Sequence, residues 1–234
     1  MFIGLGLSLT RLRGGAAFTP ASLFANGEAG AWYNPDSDTV AGALPDISGN
    51  GFNLAQATGG NQPSVGSDGS AYFVGLDGND FMTASASISQ TSGTIALAFR
   101  PGAVVYQSGR RCILSFSDTG TANNWLEVGL DIERRLYVEF NSGGALTTHR
   151  TTSAFEPGSD YSAIIVYDGA DVFVSINGQQ DPIIETFASG AGGWFGDVSG
   201  GDTLTLGAAN SSAGVSRHFT GRIYSALFVE TEAF

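Results

Sequence analysis

Apolar and polar residues along this chain fall into short runs with a period of two. Residues 161–167 are rich in β-formers (Tyr161, Ile164, Ile165, Val166, Tyr167), and Asp168-Gly169 follows as a turn signal. The return run places Val172, Val174 and Ile176 on one face and Asp171, Phe173 and Ser175 on the other, and Asn177-Gly178 then ends it. Residues 161–178 therefore predict a β-hairpin. Further runs of β-formers occur at residues 72–76, 94–99, 111–116, 125–130, 136–140, 203–206 and 222–229. Gly, Asn, Asp and Ser punctuate the gaps, and 34 glycines supply turns. From residue 31 onward no segment sustains a 3.6-residue period, whereas residues 20–27 suit one helical turn with Thr19 as its cap and Pro20 at its first position. The pattern predicts an all-β, antiparallel sandwich or jelly roll.

The first fifteen residues also alternate, with Ile3, Leu5, Leu7 and Leu9 on one side, followed by Arg11, Arg13 and a Gly14-Gly15 hinge. Such a one-faced strand is either an edge of the main sandwich or an arm that adds a strand to another subunit. The organisation expected is an assembly or attachment arm over residues 1–17, a connector over 18–29 and one jelly-roll domain over 30–234. At 234 residues, one large sandwich buries roughly 70–75% of its extended surface and needs no disulfide or metal staple.

Residues 125–140 predict a second hairpin. Leu126, Val128, Leu130, Leu136, Val138 and Phe140 share a core face, and the opposite face carries Trp125, Glu127, Asp131, Arg135, Tyr137 and Glu139. Matching the apolar faces gives a three-residue loop, Ile132-Glu133-Arg134, and sets Glu127 opposite Glu139. Facing like charges are unfavourable unless a cation, a ligand or solvent relieves them. With Trp125 and Tyr137 beside them, the acids have the parts of a sugar site: flat rings for stacking and carboxylates for hydroxyls. A solvated outer face, with Arg135 relieving the acids, is the plainer alternative. Trp194 on a glycine-rich loop is a second candidate carbohydrate contact, with burial over the sandwich end as its alternative. No catalytic residue is expected. A retaining glycosidase pair needs two carboxyls ~5–5.5 Å apart, and Glu127, Asp131 and Glu133 do not alternate along one strand.

Composition narrows the classes further. The net charge is −12 and all ten basic residues are arginines, which argues against nucleic acid as a partner. No apolar run approaches the ~20 residues that span a bilayer, and Met1 to Leu9 lacks the basic start of a signal peptide, so no membrane insertion is expected. Cys112 is the only cysteine and sits in an apolar run, as a buried small hydrophobe would. His149 and His218 lack partners at zinc spacing.

Several motifs fall in a recognisable order: Ala31-Trp32-Tyr33, Asp46-Ile47-Ser48-Gly49-Asn50-Gly51, Leu76-Asp77-Gly78-Asn79-Asp80-Phe81, the hairpin ending at Asn177-Gly178, and Leu206-Gly207 with Thr220-Gly221-Arg222-Ile223. Over residues 30–230 the series resembles the concanavalin A-like lectin/glucanase superfamily, in its laminin G-like branch. The chain departs at Tyr161, where that family usually has tryptophan, and at Tyr224-Ser225, where it has an acidic residue. The resemblance implies a structural Ca2+, for which Asp46, Asn50, Asp77 and Asp80 are the candidate oxygen ligands. The alternative for the same residues is turn chemistry. The stretch Leu9 to Gly15, with Ser22 to Glu28 and Trp32-Tyr33, resembles the start of phage and prophage virion proteins of tail, spike or fibre. That resemblance implies a virion location after synthesis in the host cytoplasm. It also implies contacts with other virion proteins and a homo-oligomer (trimer or pentamer) that binds host-surface polysaccharide without cleaving it. A structural virion protein and a polysaccharide depolymerase are the alternatives.

Overall fold

In the computed structural model, residues 20–35, 42–66, 71–73, 80–102, 109–188 and 193–230 are described. The strands in chain order are β1 (Gly30–Tyr33), β2 (Ala43–Leu44), β3 (Leu54–Ala55), β4 (Ser64–Val65), β5 (Ala71–Phe73), β6 (Met82–Ser85), β7 (Gly93–Pro101), β8 (Arg111–Ser117), β9 (Asn124–Leu130), β10 (Arg135–Ser142), β11 (Ala145–Ala154), β12 (Tyr161–Tyr167), β13 (Val172–Ile176), β14 (Gln179–Asp181), β15 (Ile183–Ala188), β16 (Thr203–Leu206), β17 (Ala209–Ser211), β18 (Gly214–Ser216) and β19 (Gly221–Val229). Three 3-10 turns join them among the described residues, and the first, Pro20–Phe24, is the turn expected there. Thr19, the arm residues Ile3, Leu5, Leu7, Leu9, Arg11 and Arg13, and Asp77 lie outside the described residues.

Two antiparallel sheets form the sandwich. One runs β14-β13-β12-β7-β19-β5-β4, with β1 pairing the far half of β19. The other runs β15-β11-β10-β9-β8-β16-β6-β3-β2. Alternation decides which residues meet between them. The first sheet sends in Ile95, Leu97, Phe99, Ala163, Ile165, Val174 and Phe228, and the second sends in Leu114, Phe116, Leu126, Val128, Leu136, Val138, Phe140 and Leu204. Each of these Ile, Leu, Val and Phe side chains, fully buried, is worth ~1.5–3 kcal/mol of transfer free energy.

Both predicted hairpins are present. Tyr167 pairs with Val172 around the Asp168-Gly169 turn, and Ile176 pairs with Gln179 around Asn177-Gly178. Asn177 (φ 52) and Gly178 (φ 79) both lie in the left-handed region, as a two-residue type I′ hairpin loop requires. Tyr161 fills its corner against Phe155 at 4.7 Å, and its hydroxyl accepts from the Glu156 amide at 2.8 Å. Cys112 is buried and reduced, and burial pushes its thiol well up.

Two of the calcium candidates, Asp46 and Asn50, are engaged in turns. Asp46 Oδ1 accepts from the amides of Trp32 and Ser48, Asp46 Oδ2 accepts from that of Phe52, and the Asn50 amide donates to the carbonyls of Glu28 and Gly30. Asp80 is buried beside His218. Among the described residues no three His, Cys, Asp or Glu side chains converge as a metal site would need. No helix of the described residues is long and apolar enough to cross a membrane.

Candidate functional site

The β9–β10 hairpin has the expected register. Glu127 pairs with Glu139, Tyr137 with Gly129 and Asn141 with Trp125. Its loop is the predicted three residues: the Asp131 amide donates to the Arg135 carbonyl at 3.0 Å, and Arg134 closes the turn at φ 65. Asp131 shapes the turn by accepting from the amides of Glu133 and Arg135. Gly129 has a separate cause. A Cβ there would lie 2.0 Å from the Arg111 carbonyl oxygen, where β8 bulges between Cys112 and Leu114.

On the outward side of this sheet a polar row crosses six strands: Thr83, Thr205, Ser115, Glu127, Glu139 and Thr148. All but Thr83 are buried. The segment from Gly207 to Arg217, which includes the β17–β18 ribbon, lies over them. The Ser115 hydroxyl donates to the Ala208 carbonyl at 3.0 Å, and the Cys112 amide donates to the Arg217 carbonyl at 2.7 Å.

Two arginines answer the two acids. Arg217 Nη1 lies 2.5 Å from Glu127 Oε2 and 3.7 Å from Glu139 Oε2, and its guanidinium sits 5.6 Å over the Trp125 ring. Arg110 pairs with Glu139 from the other side and lies 5.2 Å over the Tyr137 ring. The Thr148 hydroxyl donates to Glu139 at 2.7 Å. Burial raises the Glu127 pKa, against the opposing charge of Arg217. Facing carboxylates are thus tolerated because each meets its own guanidinium.

This corrects three expectations. Trp125, Glu127, Tyr137 and Glu139 form neither an open sugar-stacking face nor a solvated one, since arginines and the ribbon cover them. Arg135 does not relieve the acid pair; it binds Asp131 at 3.0 Å and Glu133 at 2.9 Å. Trp194 is buried, stacked 5.9 Å from Tyr167, so it offers no contact surface. Gly193 in its loop serves packing, for a Cβ there would meet the Phe140 ring at 2.4 Å. Arg110 and Arg217 are the partners that sequence reasoning missed. The only signal available was that two facing acids demand two cations.

The polar face does open at the hairpin turn. A cavity of about 260 Å3 lies between Gly109, Arg110, Asp131, Ile132, Glu133, Arg135 and Arg150. It is smaller than the ~300–1,000 Å3 of pockets for drug-sized ligands, and suits a single ring or a terminal group. Of the sequence-predicted site residues, only Arg135 lines it.

No protein-family profile and no curated protein matches the chain. Solved structures do. The CBM40 module of Ruminococcus gnavus IT-sialidase, bound to α2,3-sialyllactose, matches at TM-score 0.51 and 17% identity, over 62% of this chain and 79% of that one. The fold is a lectin-like β-sandwich. It also matches the NanB sialidase of Streptococcus pneumoniae (TM-score 0.51, 15% identity, 71% of this chain and 26% of that one) and Trypanosoma rangeli sialidase (TM-score 0.59, 10% identity, 87% and 30%). This sandwich thus spans under a third of the length of those two sialidases.

Proposed function

We propose that this lectin-like sandwich is a non-catalytic carbohydrate-binding protein of a virion, a spike or fibre subunit that grips host-surface polysaccharide. The observation that carries the sugar-binding reading is the pocket at the β9–β10 turn, a single-ring cavity walled by guanidiniums and carboxylates. Such groups fix the orientation of a hydroxylated ligand. The Ruminococcus module of similar fold, with sialyllactose bound, supports the reading. Within the fold we place the chain in the laminin G-like branch, on the order of its turn motifs.

The acids argue for binding without cleavage. Glu127 and Glu139 face each other, but both are buried and held by Arg217, Arg110 and Thr148, which leaves neither at an open surface where a glycosidic oxygen could reach it. The virion context rests on the resemblance of the first 35 residues, with residues 1–17 as the attachment arm and synthesis in the host cytoplasm. Several copies on one particle, as a trimer or pentamer, would turn weak single sites into useful avidity.

A glycan array probed with the assembled oligomer tests the sugar reading, and an array without a single hit overturns it in favour of a purely structural virion role. Release of reducing ends from purified capsule, abolished by Glu127→Gln, would overturn the non-catalytic reading. Removing residues 1–17 should block assembly into the particle; normal incorporation would remove the arm from the account.

A further inference from the structure

We infer that residues 1–17, read above as the attachment arm, lie stowed across the outer face of the first sheet of their own protomer. The strand registers define that face. One row runs Trp32, Leu227, Ala96, Ile164 and Ser175 from β1 to β13, and the next runs Gly30, Val229, Thr94, Val166 and Phe173. Ile164, Val166, Leu227 and Val229 are 7%, 3%, 3% and 1% exposed, yet none of them belongs to the core between the sheets. The side chains beside Ile164 in its row are Ala96 and Ser175, both too small to close over it. The sheet therefore does not cover this face by itself. The cover belongs to the same chain, because a single protomer already buries these residues.

Length, pattern and point of departure single out the segment. Of the stretches outside the described residues, 1–19 is the longest, and the others hold six residues or fewer. It carries Ile3, Leu5, Leu7 and Leu9 with Gly4, Gly6 and Ser8 between them, one side for an apolar floor and one for water. Extended, residues 3–9 run about 23 Å, and the five strands from β1 to β13 span about 19 Å. The chain also leaves from the border of this face. The Glu230 amide donates to the Ala29 carbonyl at 3.0 Å and the Ala29 amide to Glu230 Oε1 at 3.0 Å, just before Gly30 opens β1. From Pro20 the connecting residues 10–19 reach up to about 33 Å, enough to bring the apolar run back over the sheet.

Charge favours the same seat. Arg11 and Arg13 give residues 1–19 a charge of +2, so the net charge of −12 leaves −14 on the rest of the chain. Asp168 and Asp171 stand at one end of the face, in the turn where Tyr167 pairs with Val172. A tethered arm of opposite sign meets its own protomer at a far higher effective concentration than it meets a neighbour. To attach to a particle the arm has to leave this seat, and leaving bares Ile164, Val166 and Leu227. Stowage thus keeps an apolar patch hidden until assembly, when a second contact can use it.

The test uses the full chain with a nitroxide label at Leu7→Cys; Cys112 is buried and stays unlabelled. The amide signals of Ile164, Val166 and Leu227 should be lost to the label, while those of Ser212 and Gly214, on the ribbon over the other sheet, keep their intensity. Adding Leu5→Asp, a change in the arm and not in the sandwich, should restore the lost signals. Deleting residues 1–17 should raise the fluorescence of a dye that binds apolar surface several-fold. Full intensity at Ile164, Val166 and Leu227 in the labelled chain overturns the inference. Mixing labelled chains with isotope-enriched unlabelled ones separates the protomers. Loss confined to that mixture puts the arm on a neighbour and overturns stowage within one protomer. Normal incorporation of the truncated chain, with the signals lost in the labelled full chain, overturns the attachment role alone and leaves the stowed arm standing.

Discussion

The β9–β10 and β12–β13 hairpins sit in opposite sheets and alternate in the same way, yet their outward faces are built differently. Outward from β12, Ile164 and Val166 are apolar and nearly buried, and Phe173 across from Val166 is 42% exposed. Outward from β9 and β10 stand Trp125, Glu127, Tyr137 and Glu139, and every one is under 9% exposed. The polar face is the more deeply covered of the two. A polar side of a strand therefore need not be the wet side: charges go inside when each has a partner, and here Arg110 and Arg217 are those partners.

The comparison can be broken most forcefully at its charges. Glu139→Ala leaves Arg110 against a buried void and should cost about 4 kcal/mol in urea unfolding, within the ~3–5 kcal/mol typical of a broken buried pair. The apolar counterpart, Ile165→Ala under β12, should cost about 3 kcal/mol by cavity formation. If Glu139→Ala costs under ~1 kcal/mol, that pair is solvated and the two faces are alike after all.

The turns sharpen the comparison with smaller effects. Asn177 suits its left-handed position at φ 52, whereas Arg134 occupies φ 65 without that advantage. Asn177→Ala should lose about 1 kcal/mol. Arg134→Gly should gain about 0.5 kcal/mol, since the relief of strain exceeds the loss of an exposed ion pair with Glu156. Thermal unfolding of the two variants would show the opposite signs.

The smallest effects lie in pH dependence, and the hairpins differ in sign. Burial raises Glu127, so the folded state holds that proton more tightly than the unfolded state does. Its contribution is present below the ordinary glutamate value and is lost as pH rises through the raised folded value. Asp168 in the β12–β13 turn is lowered by the amides of Asp171 and Ala170. Its contribution is present above the ordinary aspartate value and is lost as pH falls through the lowered one. Denaturant midpoints across the acid range should flatten on the higher-pH side in Glu127→Gln and on the lower-pH side in Asp168→Asn.

Much of the scaffold was legible because it obeys local rules. The bounds of β12, β13 and β16 coincide with runs of β-formers, and the Glu127–Glu139 register follows from aligning two apolar faces. The strand β11 was not legible. Its residues, Ala-Leu-Thr-Thr-His-Arg-Thr-Thr-Ser-Ala, lack apolar alternation, because there Thr147 and Thr151 are buried where other strands use Leu or Val. That omission mattered, since β11 carries Thr148 and Arg150. The cover over the acids was hidden for another reason: the pairing of Arg217 with Glu127 joins segments far apart in the chain and leaves no periodic trace. The glycine-rich loop left contact and burial both open for Trp194, and Gly193 is small so that Phe140 can pack against it.

The central claim is that saccharide binds at the turn of one hairpin and not at the other. Backbone amide chemical shifts, followed while an oligosaccharide that the glycan array identifies is titrated into the full chain, test this directly. The account predicts saturable shifts at Gly109, Ile132, Glu133 and Arg150, with Gly169 and Asn177 unmoved. Silence at the pocket, or shifts confined to the β12–β13 turns, would contradict it.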